Sequence, residues 1–557
     1  MWNPSIPDGY ETAKIRFELV PYTRGLGLDI GCGPDKGFPH FIGIDNNQDE
    51  RIFGEQHRAT TADMIVPDGT KLPQLASEQY DFVYSSHMLE HVPDFKACLK
   101  EWWRLIKVGG HLVLYLPHKE LYPNVGTPAA NPDHKHDFLP ADIVAAMEDI
   151  GHFDLVRNED RNEDEEYSFF QVFKKLSSAG SGTSTHVNEF SHQRVAADTR
   201  PQAWVVRYGA YGDMMQSVSV LPGLREQGYR IKLYCSTRGY ETVSNDPHVD
   251  EFVIQDDEQV PQYMINYYFE WMRKVCERRG WRFVNLCETV EQNFLPAERN
   301  SHFHWPKAAR HAHCNKNYVE IQHMVAEVPY AKPLTKFYPT IEEKLTASDR
   351  RRAAKGKVVV FALAGSSVHK VWPGMDTIIA RLLIQPDPVT IVLVGGPECF
   401  ILEGGWQNEP RVWKRSGVWS IRESLAFCQK ADVVIGGETG VLNAVAMEPM
   451  AKILFLSHST VENLCRDWVN TAAFAAEAAP CYPCHRIHFN YKHCVQGKMG
   501  GSGPVDGPND PERGVALCQE MINPETVWQC LSAVLGVKDP GLRAVEFKHG
   551  RSGTKNS

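Results

Sequence analysis

Short apolar runs separated by stretches of helical spacing fill the first third of this chain. The runs fall at Leu26–Ile30, Phe41–Ile44, Phe82–Ser85 and Leu112–Leu116, and apolar residues recur with helical spacing over Phe95–Ile106 and Ala141–Ile150. Tyr167–Phe173 alternates as a half-buried late strand does. Strands this short, parted by helices, predict an α/β fold with a mostly parallel sheet. The pattern then stops at Ser177-Ser178-Ala179-Gly180-Ser181-Gly182-Thr183-Ser184-Thr185, which is small and polar. Such a composition predicts a flexible linker over 177–201 and a first domain over 1–176.

The strand–helix rhythm restarts at Ala203–Val206, followed by a glycine turn and a helix from about Asp213 to Gln227. Further strands are predicted at Ile231–Cys235, Phe252–Ile254 and Phe283–Leu286. A third α/β unit opens at Val358–Ala362 and continues through Thr390–Val394, Asp432–Ile435 and Ile453–Leu456. A last helix covers Pro524–Leu535 before a polar tail that reads as disordered. The boundaries that follow are 202–350, 351–537 and a tail over 538–557.

Composition narrows the function classes. The 557 residues are too many for one ordinary core. A hydrophobic content of 43% with 23% charged residues is that of a soluble globular protein. A net charge of −10 gives no general attraction to nucleic acid or anionic lipid. The basic run Arg350-Arg351-Arg352 reads as a solvated helix end. No apolar run approaches the roughly 18–20 residues that span a bilayer, which leaves only peripheral membrane contact open. The start, Met1-Trp2-Asn3-Pro4-Ser5, lacks a basic segment followed by an apolar one, so the expected compartment is the cytoplasm. Most of the 14 cysteines are scattered through predicted helices and strands, as in a reduced protein.

The first domain carries Leu28-Asp29-Ile30-Gly31-Cys32-Gly33-Pro34 and then Phe41-Ile42-Gly43-Ile44-Asp45. Gly31 and Gly33 let backbone N–H groups approach a ligand closely, with Asp29 beside them. Asp45 ends the second run, where an acid can accept both hydroxyls of a ribose. Asp68-Gly69-Thr70-Lys71-Leu72-Pro73, Tyr80–Val92 and Lys107-Val108-Gly109-Gly110-His111-Leu112 follow in order. Together these motifs resemble the class I S-adenosylmethionine-dependent methyltransferases. The resemblance implies a Rossmann-like domain in which Asp68 accepts from the adenine amino group. It also implies that Ser85 and His87 face the methyl donor. One departure is plain: Pro34–Phe41 is too short and proline-broken for the helix most members place there.

The base on the acceptor is left open among His87, His118 and His134, since a histidine accepts a proton from a hydroxyl near neutral pH. His134 and His136 with Asp133 and Asp137 alternatively make a metal site, and solvated loop histidines are the plain alternative.

In the second half, Arg207-Tyr208-Gly209-Ala210-Tyr211-Gly212-Asp213 opens a helix containing Leu221-Pro222-Gly223-Leu224. Ala364-Gly365-Ser366-Ser367-Val368-His369-Lys370-Val371-Trp372-Pro373 and Ala431–Asn443 follow. These motifs resemble the heptosyltransferase-like glycosyltransferase family nine, which implies two Rossmann-like domains in a GT-B arrangement. Asp213 then matches the general base on the acceptor hydroxyl, although an aspartate there also caps a helix. Gly209, Gly212, Ser366, Ser367, Lys370, Glu438, Thr439, Gly440 and Asn443 match the nucleotide-sugar site. Small residues supply N–H donors to a diphosphate there, and Lys370 supplies charge. Glu438 stands where the family has aspartate and Asn443 where it has histidine, and Asn443 carries no proton.

Cys481-Tyr482-Pro483-Cys484 is followed by Cys494 and Cys518, a set that suits tetrahedral zinc. Inert or redox-active thiols are the alternative.

The reading is a bifunctional glycan-modifying enzyme. It uses S-adenosylmethionine to methylate a sugar hydroxyl, and transfers a sugar from a nucleotide donor with inversion to a glycan or glycolipid acceptor. Joining the two on one linker raises the concentration of one product at the other site. Two alternatives stand beside it: a methyltransferase whose GT-B half only binds a glycan, and a non-catalytic assembly protein that kept both folds.

Overall fold

The computed structural model describes residues 11–46, 51–53, 56–58, 60–162, 166–178, 199–330, 335–365, 370–489, 491–495 and 515–537. Most of the linker expected over 177–201, all of the tail over 538–557, and Ser366 and Ser367 lie outside these residues. The chain divides into two compact units. One comprises Met1–Arg200 with Val253–Gly280, and the other Pro201–Phe252 with Trp281–Ser557.

The first unit is built on strands β1 (Gly27–Ile30), β2 (Ile42–Asp45), β3 (Met64–Ile65), β4 (Tyr80–Ser86), β5 (Ile106–Pro117), β6 (Phe153–Arg161) and β7 (Ser168–Lys175). Their order across the sheet is β3-β2-β1-β4-β5-β7-β6. The strands from β3 to β5 run parallel, and β7 returns antiparallel between β5 and β6. Strand β1 and the last six residues of β5 are buried throughout, as their apolar runs require. Strand β6 alternates half-buried and exposed positions along its length, as an edge strand with one wet face does. The helix Phe95–Leu105 starts where Asp94 accepts the Ala97 N–H at 3.0 Å. It buries Cys98, Leu99, Trp102, Trp103 and Leu105, one face of a helical repeat.

The segment Val253–Gly280 belongs to this unit by its contacts, although its place in the chain is within the domain expected over 202–350. Its helix Ile265–Arg279 ends at Gly280 in the left-handed region. Tyr268 is fully buried, with its ring 5.3 Å from Phe17. Gln259 donates to the Val20 carbonyl at 2.8 Å, and Arg24 pairs with Asp256 at 2.8 Å.

The second unit holds two sheets. The first has β8 (Gln202–Arg207), β9 (Arg230–Ser236), β10 (Glu251–Gln255) and β11 (Arg282–Asn285) in the order β10-β9-β8-β11. The second has β12 (Lys357–Ala362), β13 (Val389–Val394), β14 (Val412–Lys414), β15 (Val433–Gly437), β16 (Ala451–Phe455) and β17 (Thr471–Phe474), all parallel, in the order β14-β13-β12-β15-β16-β17. One continuous cluster of buried apolar side chains runs from Ala203 on β8 to Leu531 on the last helix. Among the described residues no helix is long and apolar enough to cross a membrane.

Candidate functional sites

The end of β1 sets the first site. The chain turns through Gly31 and Gly33, at φ +78° and +54°. A Cβ on Gly31 would stand 2.5 Å from Met88 Cγ, so both backbone and space demand glycine there. Between β1 and β2 the chain forms turns and no helix. Asp45, at the end of β2, accepts the Gly33 N–H at 2.6 Å and the Asn46 N–H at 2.7 Å. Asp68 accepts the Thr70 hydroxyl at 2.5 Å and the Thr70 N–H at 2.9 Å. The hydroxyl bond is the main cause that lowers its pKa.

These groups border a cleft of about 1910 Å³ whose lining includes Gly31, Gly33, Asp45, Asp68, His87 and His134. Two other expected cofactor residues point elsewhere. Asp29 is 1% exposed and accepts the Gly37 N–H at 2.8 Å, which ties down the turn after β1. Burial pushes its carboxyl up to about 7 against the pull of that N–H. Ser85 is fully buried and donates to the Ile30 carbonyl at 2.8 Å, while its neighbour Ser86 lines the cleft. His118 lies off the lining, with Nε2 at 3.5 Å from Asp160 and Nδ1 accepting the Glu120 N–H.

The floor of the cleft is a set of histidines around a buried acid. His87 sits at φ +47°, an uncommon conformation for a side chain of its kind. It shares a 2.8 Å hydrogen bond with the Ser168 hydroxyl, and burial holds its pKa down to about 4. Burial, with His91 adding to it, also holds His134 down to about 4. Both rings are therefore neutral at neutral pH and each has a nitrogen able to take a proton. Glu90 is fully buried beside them, and burial pushes its carboxyl up to about 8. Neither of its side-chain oxygens has a hydrogen-bond partner beyond its own backbone amide. Tyr122 stands over His134 with ring centres 5.3 Å apart, and Tyr167 lies 4.9 Å beyond Tyr122.

The residues present fit an S-adenosylmethionine. The left-handed glycines leave room for a ligand, and Asp45 and Asp68 border it.

In the second unit, the turn after β8 leads into the helix Tyr211–Ser217. Asp213 accepts the Ala210 N–H at 3.0 Å, closing the helix start, and sits 3.4 Å from the Arg207 guanidinium. Arg207 is 1% exposed and also holds Glu291 and the Leu286 carbonyl. Asp213 is thus both a cap and half of an ion pair, with part of its carboxylate exposed.

Gly440 opens the short helix after β15, and a Cβ there would meet Tyr211 Cβ at 2.7 Å and Gly212 N at 3.1 Å. A Cβ on Gly209 would meet the Asp213 side chain at 3.0 Å. A Cβ on Gly365 would meet Lys370 Cδ at 2.9 Å and Thr439 Cγ2 at 3.3 Å, so Lys370 stands beside Thr439.

The polar atoms of three expected ligand residues are taken by the protein itself. Glu438 accepts from the N–H groups of Ser457, His458 and Ser459 at 2.6–3.2 Å and from the Ser459 hydroxyl at 3.1 Å. Its other partner is His458 Nε2 at 2.7 Å. Burial alone would raise its pKa, but His458, Lys370 and the Ser457 N–H outweigh that and hold it well below the usual range. Thr439 caps Leu442, and Asn443 accepts from Gln216 at 3.0 Å while donating to the Thr439 carbonyl at 2.9 Å.

The four expected zinc cysteines are near enough to affect one another's charge, and burial with that mutual repulsion pushes Cys484 and Cys494 up to about 12. Cys484 lies 3.7 Å from His488 Nε2. Among the described residues, however, the metal-type groups that converge within 4.8 Å are Glu90, His91 and His134, not the cysteines.

A family model described as "Methyltransferase domain" matches residues 28–114. This stretch is a methyltransferase domain. The chain is thereby a transferase. No curated protein matches it. Among solved structures, E. coli ADP-heptose lps heptosyltransferase II is 12% identical, covering 60% of this chain and 98% of its own, with a TM-score of 0.41. The glycosyl transferase family 9 protein of Veillonella parvula is 14% identical, covering 49% of this chain and 85% of its own, with a TM-score of 0.39. A SAM dependent methyltransferase from Archaeoglobus fulgidus is 20% identical, covering 29% of this chain and 92% of its own, with a TM-score of 0.23.

Within the methyltransferase domain and its flanks, sequence reading passed over Glu90, Glu11, Tyr122 and Tyr167. Glu90 carried one available signal: it is an acid three residues after His87 and directly before His91, in a segment already assigned to the site. Glu11, Tyr122 and Tyr167 come from distant segments and carried none.

Proposed function

We propose that the first unit transfers a methyl group from S-adenosylmethionine to a sugar hydroxyl, and that the second transfers a sugar from a nucleotide donor with inversion. The acceptor in both cases is a glycan or glycolipid. The observation that supports the methyl-transfer reading is one cleft whose lining includes Asp45, the left-handed glycines and neutral His87. S-adenosylmethionine, when bound, supplies an electrophilic methyl carbon. Asp45 and the Asp68 turn then hold the donor, and the chain around Gly31 excludes water from its face. His87, kept neutral by burial, takes the acceptor's proton as its oxygen forms the new bond. The rings of Tyr122 and Tyr167 offer an apolar wall to one face of a sugar.

For sugar transfer, Asp213 is the group suited to accept a proton and Lys370 the charge suited to phosphate.

One observation favours a second reading, a second unit that binds without catalysis. Glu438, Thr439 and Asn443 spend their polar atoms inside the protein and leave little for a donor.

Titrating the full-length chain with S-adenosylmethionine and with nucleotide sugars, by calorimetry and thermal shift, tests both. Asp45→Ala should weaken S-adenosylmethionine at least tenfold, since a charge-assisted hydrogen bond contributes about 1.5–3 kcal/mol. Lys370→Ala should weaken a nucleotide sugar and leave S-adenosylmethionine alone. Asp213→Asn should keep donor binding and lower sugar-transfer turnover by roughly 10²–10⁴. Absence of S-adenosylmethionine binding defeats the first half of the proposal. Absence of any nucleotide-sugar shift leaves the non-catalytic reading of the second unit.

A further inference from the structure

The floor of the cleft contains an arrangement that methyl transfer by His87 does not use. Glu90 Oε1 lies 3.9 Å from His91 Nε2 and 3.9 Å from His134 Nε2. All three ligand atoms fall within 4.8 Å of one another. The rings of His91 and His134 meet edge to face with centres 4.7 Å apart, so their nitrogens converge without stacking. His87 Nδ1 approaches the same Glu90 oxygen at 3.9 Å.

Glu90 is the independent sign of a missing ligand. A carboxylate with no solvent exposure normally finds hydrogen-bond donors, because leaving it bare costs several kcal/mol. Here both oxygens lack a side-chain or neighbouring backbone donor, and the group lines the cleft. The imidazole nitrogens of His87, His91 and His134 stand 3.9 Å away, too far for hydrogen bonds. A cation between Glu90, His91 and His134 would satisfy the carboxylate.

We propose that Glu90, His91 and His134 bind one divalent first-row transition cation of the zinc type in the floor of the methyltransferase cleft. Two imidazoles and a carboxylate are a borderline-soft set that suits zinc and its neighbours better than magnesium or calcium. With ligands about 2.0–2.1 Å from a tetrahedral ion, their mutual spacing is about 3.4 Å. Closing the two 3.9 Å gaps to Glu90 by about half an ångström, and the spacing between the histidines from within 4.8 Å to the same value, completes the site, a shift within side-chain reach. Three protein ligands leave one position open toward the cleft, where a water or an acceptor oxygen fits. The site stands apart from which acceptor is methylated, and from the cysteine cluster of the second unit.

The test is titration of the metal-stripped full-length protein with Co²⁺, followed by competition with Zn²⁺ and Mg²⁺. The cysteines confound a bare metal count, so the titration is run on a background with Cys481, Cys484, Cys494 and Cys518 each changed to serine, which removes the sulfur-to-cobalt charge-transfer absorption of that cluster. The expected result is one Co²⁺ per chain with visible bands of nitrogen and oxygen ligation, displaced by Zn²⁺ and not by Mg²⁺. Glu90→Gln, close in shape to the parent, should weaken Co²⁺ at least a hundredfold, since removing even an outer partner of a ligand costs about 10–100-fold. His91→Ala should do the same. Far-ultraviolet circular dichroism and thermal unfolding report that these variants are folded, and S-adenosylmethionine binding by the parent is measured separately by calorimetry, so failure of the methyl-transfer reading shows there and not in the cobalt spectrum. No visible cobalt bands on that serine-substituted background, or equal affinity in Glu90→Gln, overturns the proposal.

Discussion

Glu438→Ala removes a carboxylate around which the second unit folds a whole turn. Three backbone N–H groups, from Ser457, His458 and Ser459, point at one of its oxygens, and the Ser459 hydroxyl and His458 Nε2 reach the other. All of these donors are buried, so alanine leaves them desolvated with no acceptor. Removing one partner of a buried charged pair costs about 3–5 kcal/mol. Individual hydrogen bonds cannot be added on top, because three donors share one oxygen. At roughly 2–4 °C per kcal/mol for a large domain, the apparent melting temperature should fall by roughly 6–20 °C.

Glu438→Gln keeps one acceptor oxygen for the three N–H groups and should lose less, about 1.5–3 kcal/mol. The pH dependence has a definite sign. The folded pKa of Glu438 is lowered, so its stabilisation is complete above the unfolded carboxyl value and is lost as pH falls from there toward the folded one. The gap in melting between parent and Glu438→Ala should therefore hold from pH 7 down to about 4.5 and narrow only below it. Thermal unfolding of the full-length chain, with and without nucleotide, reads both effects. A Glu438→Ala protein with the parent's melting curve that no longer responds to nucleotide would refute the reasoning, and would return this carboxylate to the ligand site.

Asp29 has the opposite linkage, since burial raises its pKa to about 7 and its stabilising contribution is lost as pH climbs from its unfolded value toward that point. Asp29→Asn can still accept the Gly37 N–H, and its stability relative to the parent should improve by about 2–3 kcal/mol between pH 5 and pH 8, at 1.36 kcal/mol per pKa unit; a difference independent of pH in denaturant titrations counts against the buried carboxyl. Gly440→Ala should destabilise the second unit by about 1–3 kcal/mol through overcrowding, because its Cβ would press on Tyr211 Cβ and Gly212 N, neither of which a rotamer change can move. Unchanged melting of that variant would mean that the two helix starts yield more easily than their spacing indicates.

Much of the α/β architecture is legible in the chain by itself, because a strand covered on both faces must be apolar throughout. The runs ending at Ile30, Ile44 and Ser85 therefore announce β1, β2 and β4 to within two residues at either end. The helix Pro524–Leu535 is likewise marked by the proline at its start and the glycine after its end. Gly31, Gly33 and Asp45 are readable for a local reason: a turn and the strand ends beside it are close in sequence, so their motif is too. The reversal that slots β7 between β5 and β6 is not readable, since antiparallel and parallel neighbours share the same apolar pattern. Nor does the chain reveal that Val253–Gly280 packs with the first unit, a choice made by partners such as Phe17 and Val20 far away in sequence.

Side-chain direction is the other thing that only tertiary structure decides. Asp29 and Asp45 are both acids at strand ends, yet one ties down Gly37 and the other borders the cleft. Glu438 precedes a helix start, where an acid facing a ligand and an acid facing the next strand's turn look alike in sequence. The register of β15 against β16 turns it toward Ser457–Ser459. Glu90 and His91 are neighbours in the chain, but His134 joins them only because the loop after β5 folds back, its Lys135 N–H donating to the Glu90 carbonyl at 2.8 Å. Local composition encodes where a strand or turn forms; which polar atoms then face one another depends on contacts between segments that the sequence order does not record.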